Sequence, residues 1–399
     1  MKINIDLSRT AITAILISLA LVYPLLWLKM LADPTQHTGA DFIAFYAAGR
    51  IADQEGPSHA YDLILQKKYQ EGVVQREIEL QETFPYIHPP FVIPLAQIVS
   101  NADYLKSFQR WAMLMLLLFT AGIPFLIAPA RKFFSQPQTL IFAAGIFLFF
   151  PIFQSLLLGQ DNAIIFLGLS LLMWGTYAKK DWAAGLGLSL ATVRPHFAFF
   201  LLLPFLFQRR AIFGWFLLFV FALTLFSFGV VGTDGLKGFL HILTVSGSGE
   251  GYRTSEENMV NLIGLLRRLF PFLSAALIRS AGWAFYGLAF FSAGVYFWRT
   301  HTSPSGEEIS LAVVAALFFS PHTHAQDLVL LIAPIMAVIL ILLEKQRIQT
   351  AQAVLIPLAI SLLLLFSYYS PILTHSIPYL IMAGLFFAVK QYKALPAKP

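Results

Sequence analysis

The sequence predicts an all-α polytopic membrane protein, and three observations predict it. Hydrophobic residues make up 58% of the 399-residue chain and charged residues 12%, against about 45–50% and about 25% in soluble proteins. The chain holds 38 Phe, more than one water-soluble core can hide. Apolar runs of about 20 residues recur from end to end without period-two alternation, which excludes a β-barrel. Residues 1–399 therefore read as a single integral membrane domain. The net charge of +6 is scattered in ones and twos between the apolar runs. That pattern reports membrane orientation, not nucleic-acid binding. With no Cys, disulfides, thiolate metal sites and a cysteine nucleophile drop out.

The first span covers residues 10–32, after the basic Lys2 and Arg9. Its apolar run is span-length, and Met30 sits where a signal peptidase would need a small residue, so an uncleaved helix is expected. Further segments follow at 107–129, 138–158, 162–178, 182–193, 196–208, 211–231, 275–298, 309–320, 327–343, 350–369 and 376–391. Twelve segments place both termini on one side. The short connections on that side carry Arg131-Lys132, Lys179-Lys180, Arg209-Arg210, Lys345 and Arg347, so that side is expected to be the cytoplasm.

Two segments are too short to cross. Residues 182–193 and 196–208 rise only about 18–20 Å each, against about 30 Å of hydrocarbon. They flank Arg194-Pro195-His196. Pro195 cannot continue a helix, and Arg194 cannot face lipid cheaply. The expectation is a pair of half-length helices meeting at a polar vertex, which must border protein or a water-filled cavity.

Polar residues collect on the face opposite the termini. The first loop there, 33–106, contains helical patterning of its own. Phe42, Ile43, Phe45, Tyr46 and Ile51 form a stripe at helical spacing, predicting an amphipathic helix on the bilayer surface. Asp41 falls in its first turn, after Thr38 and Gly39, where the helix dipole favours a carboxylate. A second helix is expected over 60–80. The Phe84–Pro90 stretch forbids regular helix, and 91–99 is apolar but too short to cross. The same face receives Gly159-Gln160-Asp161-Asn162, the Arg194 vertex and the Ser320–Asp327 turn. The loop 232–258, with Gly247-Ser248-Gly249-Glu250-Gly251, is expected to be flexible enough for a lid. Span interiors are nearly free of charge, unlike those of an ion-coupled transporter.

The ordered set of Gly39-Ala40-Asp41-Phe42, Phe45 to Arg50, Tyr61-Asp62, Tyr86 to Pro90, the Gly-Gln-Asp-Asn turn at 159–162, the 184–195 segment and Ser320-Pro321-His322 resembles glycosyltransferase family 87. This is a GT-C-fold family that includes polyprenyl-phosphate-mannose-dependent mannosyltransferases and an arabinofuranosyltransferase. The likeness runs in order over residues 39–330. It departs at Tyr86-Ile87-His88-Pro89-Pro90, longer than a Tyr-x-Pro-Pro form, and in the 320–327 turn, where His322 and His324 both offer the family's histidine.

The resemblance implies an inverting transfer of a sugar, mannose favoured, from a polyprenyl-phosphate donor in the outer leaflet to a glycolipid or glycan acceptor. Asp41 would be the general base. Arg194, His322 and His324 would bind the donor phosphate. Arg50, Tyr61, Tyr86, His88, Gln160, Asn162, His196, Gln326 and Asp327 would contact substrate. No cofactor is required. The alternatives are a divalent metal on Asp41, Asp161 and Asp327, or zinc on His322, His324 and Asp327. The implied place is the cytoplasmic membrane, with the active site on its outer face.

Each residue also has a plainer reading. Asp41 suits a helix N-terminus, Arg194 could snorkel, and the histidines could be interfacial. The rival function is a transporter or flippase for a lipid-linked or small solute, which would also use broken helices and an outward cavity.

Overall fold

The computed structural model of the chain describes residues 5–32, 41–248, 256–300, 305–370 and 372–394. Every regular element among them is a helix. The sequence positions Thr38, Gly39 and Gly249–Gly251 lie outside the described residues.

Helix α1 (Ile5–Ala32) runs through Pro24 and covers the expected first span. Helix α2 (Phe42–Gln54) departs from expectation, because ten of its thirteen residues are buried, so it does not lie on the bilayer surface. Ala44, Ala47, Ala48 and Gly49 give it a second packing face beside the aromatic stripe. A Cβ on Gly49 would stand 2.4 Å from the Ala96 carbonyl oxygen. Small residues add little to a hydrophobic stripe yet permit close helix approach, which hid this burial from the pattern.

Helix α3 (Leu63–Val74) is shorter than the expected 60–80. Asp62 caps it, accepting from the Ile64 and Leu65 amides at 2.8 and 3.2 Å, and Gln75 in the left-handed region ends it. Residues 83–89 are irregular, as their prolines require. Helix α4 (Ile93–Val99) follows.

Helix α5 (Tyr104–Ile127) leads away from the site, and α6 (Gln136–Phe147) with α7 (Phe150–Leu158) returns through a 43° bend. Helix α8 (Asn162–Tyr177) runs down again. Helix α9 (Asp181–Leu190) and one 3-10 turn climb to Arg194, where φ −120° and ψ 84° break the helix; α10 (Pro195–Gln208) then descends. The expected vertex of two short helices is present.

Helix α11 (Arg210–Ser248) corrects the expected loop. It continues past residue 231 with a kink at Gly232 (φ 64°), so 233–248 is helical rather than a flexible lid. Its Phe239 ring packs on Tyr61 at 5.3 Å. Gly235 and Gly238 lie against Ser58 and Tyr61, so this segment packs closely on the first loop.

Helix α12 (Leu262–Leu269), α13 (Ala275–Arg299) and α14 (Gly306–Phe319) lead to a 3-10 segment, Ala325–Leu331, that feeds α15 (Ile332–Glu344). Residues 326–343 are the fully buried central post of the bundle. Helices α16 (Thr350–Tyr368) and α17 (Leu373–Ala394) close the chain.

Among the described residues, five helices are long and apolar enough to cross a membrane, or six if the bent α6–α7 pair counts as one. The expected count of twelve is not met on these terms. Helices α8, α10 and α14 have 16, 14 and 14 residues, so they reach only about 24, 21 and 21 Å. Helix α13 is longer but carries Arg279, Ser280 and several Gly, Trp and Tyr.

Polar ties hold the end away from the site. Lys132 meets Glu344 at 2.9 Å, and Arg209 meets Asp181 at 2.5 Å.

Candidate active site

The site is built on the turn between α7 and α8. Gly159 ends α7 in the left-handed region at φ 72°, and a Cβ there would meet the Phe42 Cβ at 2.5 Å. Glycine thus allows this turn to press against the start of α2. The Trp111 indole donates to the Gly159 carbonyl at 2.8 Å and fixes the turn from below.

Asp41 occupies the N-cap position of α2, yet its side chain caps nothing. Its Oδ2 instead accepts a short hydrogen bond from Gln160 Nε2. Gln160 Oε1 accepts from Arg194 Nη2 at 2.9 Å. The same Nη2 reaches Asp161 Oδ1 at 3.2 Å and Asn162 Oδ1 at 3.4 Å. Asp161 Oδ2 lies 2.7 Å from His88 Nδ1. One polar chain therefore runs from Asp41 through Gln160 to Arg194, and on through Asp161 to His88.

The residues fall into two layers. Gln160, Asp161, Asn162, His88 and Asp327 are buried, whereas Asp41, Arg194, His322 and His324 keep part of their surface open. Buried Gln160 bonds both Asp41 and Arg194, and buried Asp161 and Asn162 bond Arg194.

Electrostatics separates the two carboxylates. Burial pushes the Asp41 carboxyl above its ordinary range, against the Gln160 hydrogen bond and nearby His324 and Arg194. Burial would raise Asp161 as well, but His88 and Arg194 beside it outweigh that and hold it down at about 2. Asp161 stays charged and anchors Arg194, while Asp41 holds its proton more readily than an ordinary carboxylate.

The 320–327 turn faces the same centre. Burial, then the positive neighbours, lowers His322 to about 4. His324 is lowered too, by burial, despite Asp327 and Asp41 nearby. Both rings are thus neutral near pH 7 and offer hydrogen bonds rather than charge. Asp327 Oδ2 accepts from the His324 amide at 2.8 Å, and the Asp327 amide donates to the His324 carbonyl at 3.0 Å. Asp327 Oδ1 is buried without a hydrogen-bond partner.

Other expected contacts sit elsewhere. Tyr86 is fully buried, and Tyr61 donates its hydroxyl to the His88 carbonyl at 2.7 Å. Both stand behind His88 and support it, so they do not line an open substrate surface. Arg50 lies beside Tyr46 and Tyr69, nine residues and about 13 Å along α2 from Asp41. His196 packs on Phe197 and bonds to the His322 backbone. Gln326 is buried in the 3-10 segment.

Asp161, weighed from sequence only as a metal ligand, is the hub of the network. Its signal was present in the Gln-Asp-Asn turn, but nothing local marks which of those side chains meets both His88 and Arg194. Among the described residues, no three His, Asp or Glu side chains are grouped closely enough to hold a metal ion. Neither carboxylate nor His–Asp triad is assembled as a ligand set.

The model of glycosyltransferase family 87 matches residues 86–321. A search of curated proteins finds no match. The matched stretch carries His88, Gln160, Asp161 and Arg194; Asp41 lies before it, and His322, His324 and Asp327 lie after it. A match over more than half of the residues, on a bundle of apolar membrane-length helices, means that the chain belongs to glycosyltransferase family 87 and is an integral membrane glycosyltransferase.

Proposed function

We propose that the protein transfers a sugar, mannose favoured, from a polyprenyl phosphate to an acceptor hydroxyl with inversion at the anomeric carbon. The observation that carries this reading is Asp41. It is a largely enclosed carboxylate at a helix start that does not cap its helix, and it is tied through one side chain, Gln160, to a guanidinium.

Gln160 occupies Asp41 Oδ2, which leaves Oδ1 to take the proton of the acceptor hydroxyl. The acceptor oxygen then forms a bond to the anomeric carbon as the bond from that carbon to the phosphate oxygen breaks. The electron pair leaves with the lipid phosphate. Arg194 meets that developing charge. Its Nη2 is held by Gln160, Asp161 and Asn162, and its Nε is buried with no hydrogen-bond partner. A buried donor without a partner is costly, and a phosphate oxygen would satisfy it with a charge-assisted bond. Neutral His322 and His324 add donors without adding charge. The acceptor is a glycolipid or glycan, and the site opens on the outer face of the cytoplasmic membrane.

Purified protein given a panel of polyprenyl-phosphate sugars should consume one of them. In that assay Asp41→Asn should lower kcat by about 10²–10⁴-fold, the usual contribution of a general base, with donor binding retained. Full activity in Asp41→Asn would remove the base assignment.

A further inference from the structure

The end of the bundle away from the site holds a cavity of its own, of about 490 Å³. Phe133 and Leu343 give it apolar surface, and Gln346, Arg347, Gln349 and Thr350 give it polar surface. It lies where two connections meet, 128–135 between α5 and α6 and 345–349 between α15 and α16.

Local sequence builds it. Gln346 takes the left-handed region at φ 52°, and the chain turns back there. The Gln346 amide donates to the Leu343 carbonyl at 3.1 Å, and the Arg347 amide donates to the Leu342 carbonyl at 2.8 Å. This bond pair stops a helix sharply and holds the residues after it in a defined turn. Across the cavity, Gln138 in the first turn of α6 donates to Thr350 Oγ1 at 2.9 Å. The two connections are thus braced against each other.

The charge here is one-sided. Residues 128–135 and 344–350 carry Arg131, Lys132, Lys345 and Arg347 against a single acid, Glu344. Lys132 takes up that acid at 2.9 Å and rests over the Phe133 ring at 4.8 Å. Arg347 is exposed on the cavity wall. Exposed apolar surface begins two residues past Gln138, where Leu140 and Ile141 of α6 are 65% and 38% exposed.

We propose that this cavity seats the headgroup of an anionic glycerophospholipid from the leaflet opposite the site. Arg347 meets the phosphate through charge-assisted bonds. The Gln346 and Gln349 amides take the headgroup hydroxyls, and the acyl chains lie along Leu140 and Ile141. A basic pocket among helix ends at a membrane surface is the chemistry that selects anionic lipids. Free phosphate shares the charge, but it would leave Phe133, Leu343 and the exposed face of α6 unused. The assignment is independent of the sugar donor.

The test strips the purified full chain of lipid and titrates it with phosphatidylglycerol or phosphatidylcholine, read by native mass spectrometry. One phosphatidylglycerol should stay bound under conditions that remove phosphatidylcholine. Arg347→Gln should raise its apparent Kd about tenfold, the loss of a charge-assisted bond. Lys179→Gln, at the same end but outside the cavity, should leave that Kd unchanged. An equal effect in the two variants would mean diffuse surface charge, and equal retention of phosphatidylcholine would mean no headgroup recognition; either result overturns the site. Inorganic phosphate should not displace the lipid, and full displacement would make this a free-phosphate pocket instead.

A phosphatidylglycerol with a photoreactive headgroup needs no variant. Given to the unaltered protein, it should label residues 131–133 or 345–350. Labelling confined to other segments overturns the proposal even if Arg347→Gln fails to fold.

Discussion

Asp41 and Asp161 lie on either side of Gln160 in one network, and opposite environments set them to opposite tasks. Burial lifts Asp41, so a base at this position loses activity as pH falls through a value above the ordinary carboxylate range of about 3.9. The Gln160 hydrogen bond works against that rise. Gln160→Met should therefore move the acid limb of kcat/KM to still higher pH. Identical limbs in both proteins, at the ordinary carboxylate value, would count against Asp41 as the base.

Asp161 behaves differently. A carboxyl held at about 2 contributes stability in full above its unfolded value and loses it progressively as pH falls from there through about 2, while mild acid leaves the folded carboxylate ionised. Removing it leaves Arg194 with only amide partners. Asp161→Ala should destabilise the fold by about 3–5 kcal/mol, the cost of breaking a buried pair. Thermal unfolding followed by Trp fluorescence reads this, and an unchanged midpoint would show that the pair does not hold the site together. Asp41 and Arg194 were legible in the sequence because isolated charges stand out in an apolar chain. Asp161 was not, since three adjacent polar residues look alike until packing sets one of them between His88 and Arg194. Tyr61 and Tyr86 misled because a phenol reads as a binding group even when its ring is packed.

At the scale of elements, the vertex at Arg194 was readable because Pro195 and a helix of half-span length are local facts. The burial of α2 and the helical course of 233–248 were not, because each depends on a partner far along the chain. Helix α2 has Ala96 against Gly49, and the end of α11 has Tyr61 against Phe239. The approach at Gly49 makes a sharp prediction, since α2 carries Asp41 at its start. Gly49→Val would push α2 off α4 at an overpacking cost of about 1–3 kcal/mol. The displaced base should lower kcat even where the protein still folds, while the Arg194 side of the site, on other helices, keeps donor binding. Wild-type kcat in a folded Gly49→Val protein would mean that the α2–α4 contact does not position Asp41.

For the whole molecule, the remaining matter is which membrane face holds the site. The helices that meet there also define the opposite end. Helix α5 begins beside Asp41 and leads to Lys132, the Ala325–Glu344 post begins beside His324 and ends at Glu344, and Lys132 and Glu344 meet at 2.9 Å. The basic pairs Arg131-Lys132, Lys179-Lys180 and Arg209-Arg210 lie at that far end, which charge bias assigns to the cytoplasm. On that proposed orientation the site would open outward, where a lipid-linked donor would present its sugar. The chain has no Cys, so single cysteines report sidedness without background. Ala102→Cys, exposed near the start of α5, should react with a membrane-impermeant maleimide on intact cells. Gln136→Cys, exposed at the start of α6, should react only after permeabilisation. The reverse pattern would place Asp41 and Arg194 on the cytoplasmic side and remove an outer-leaflet donor from the mechanism, whatever the chemistry of the site.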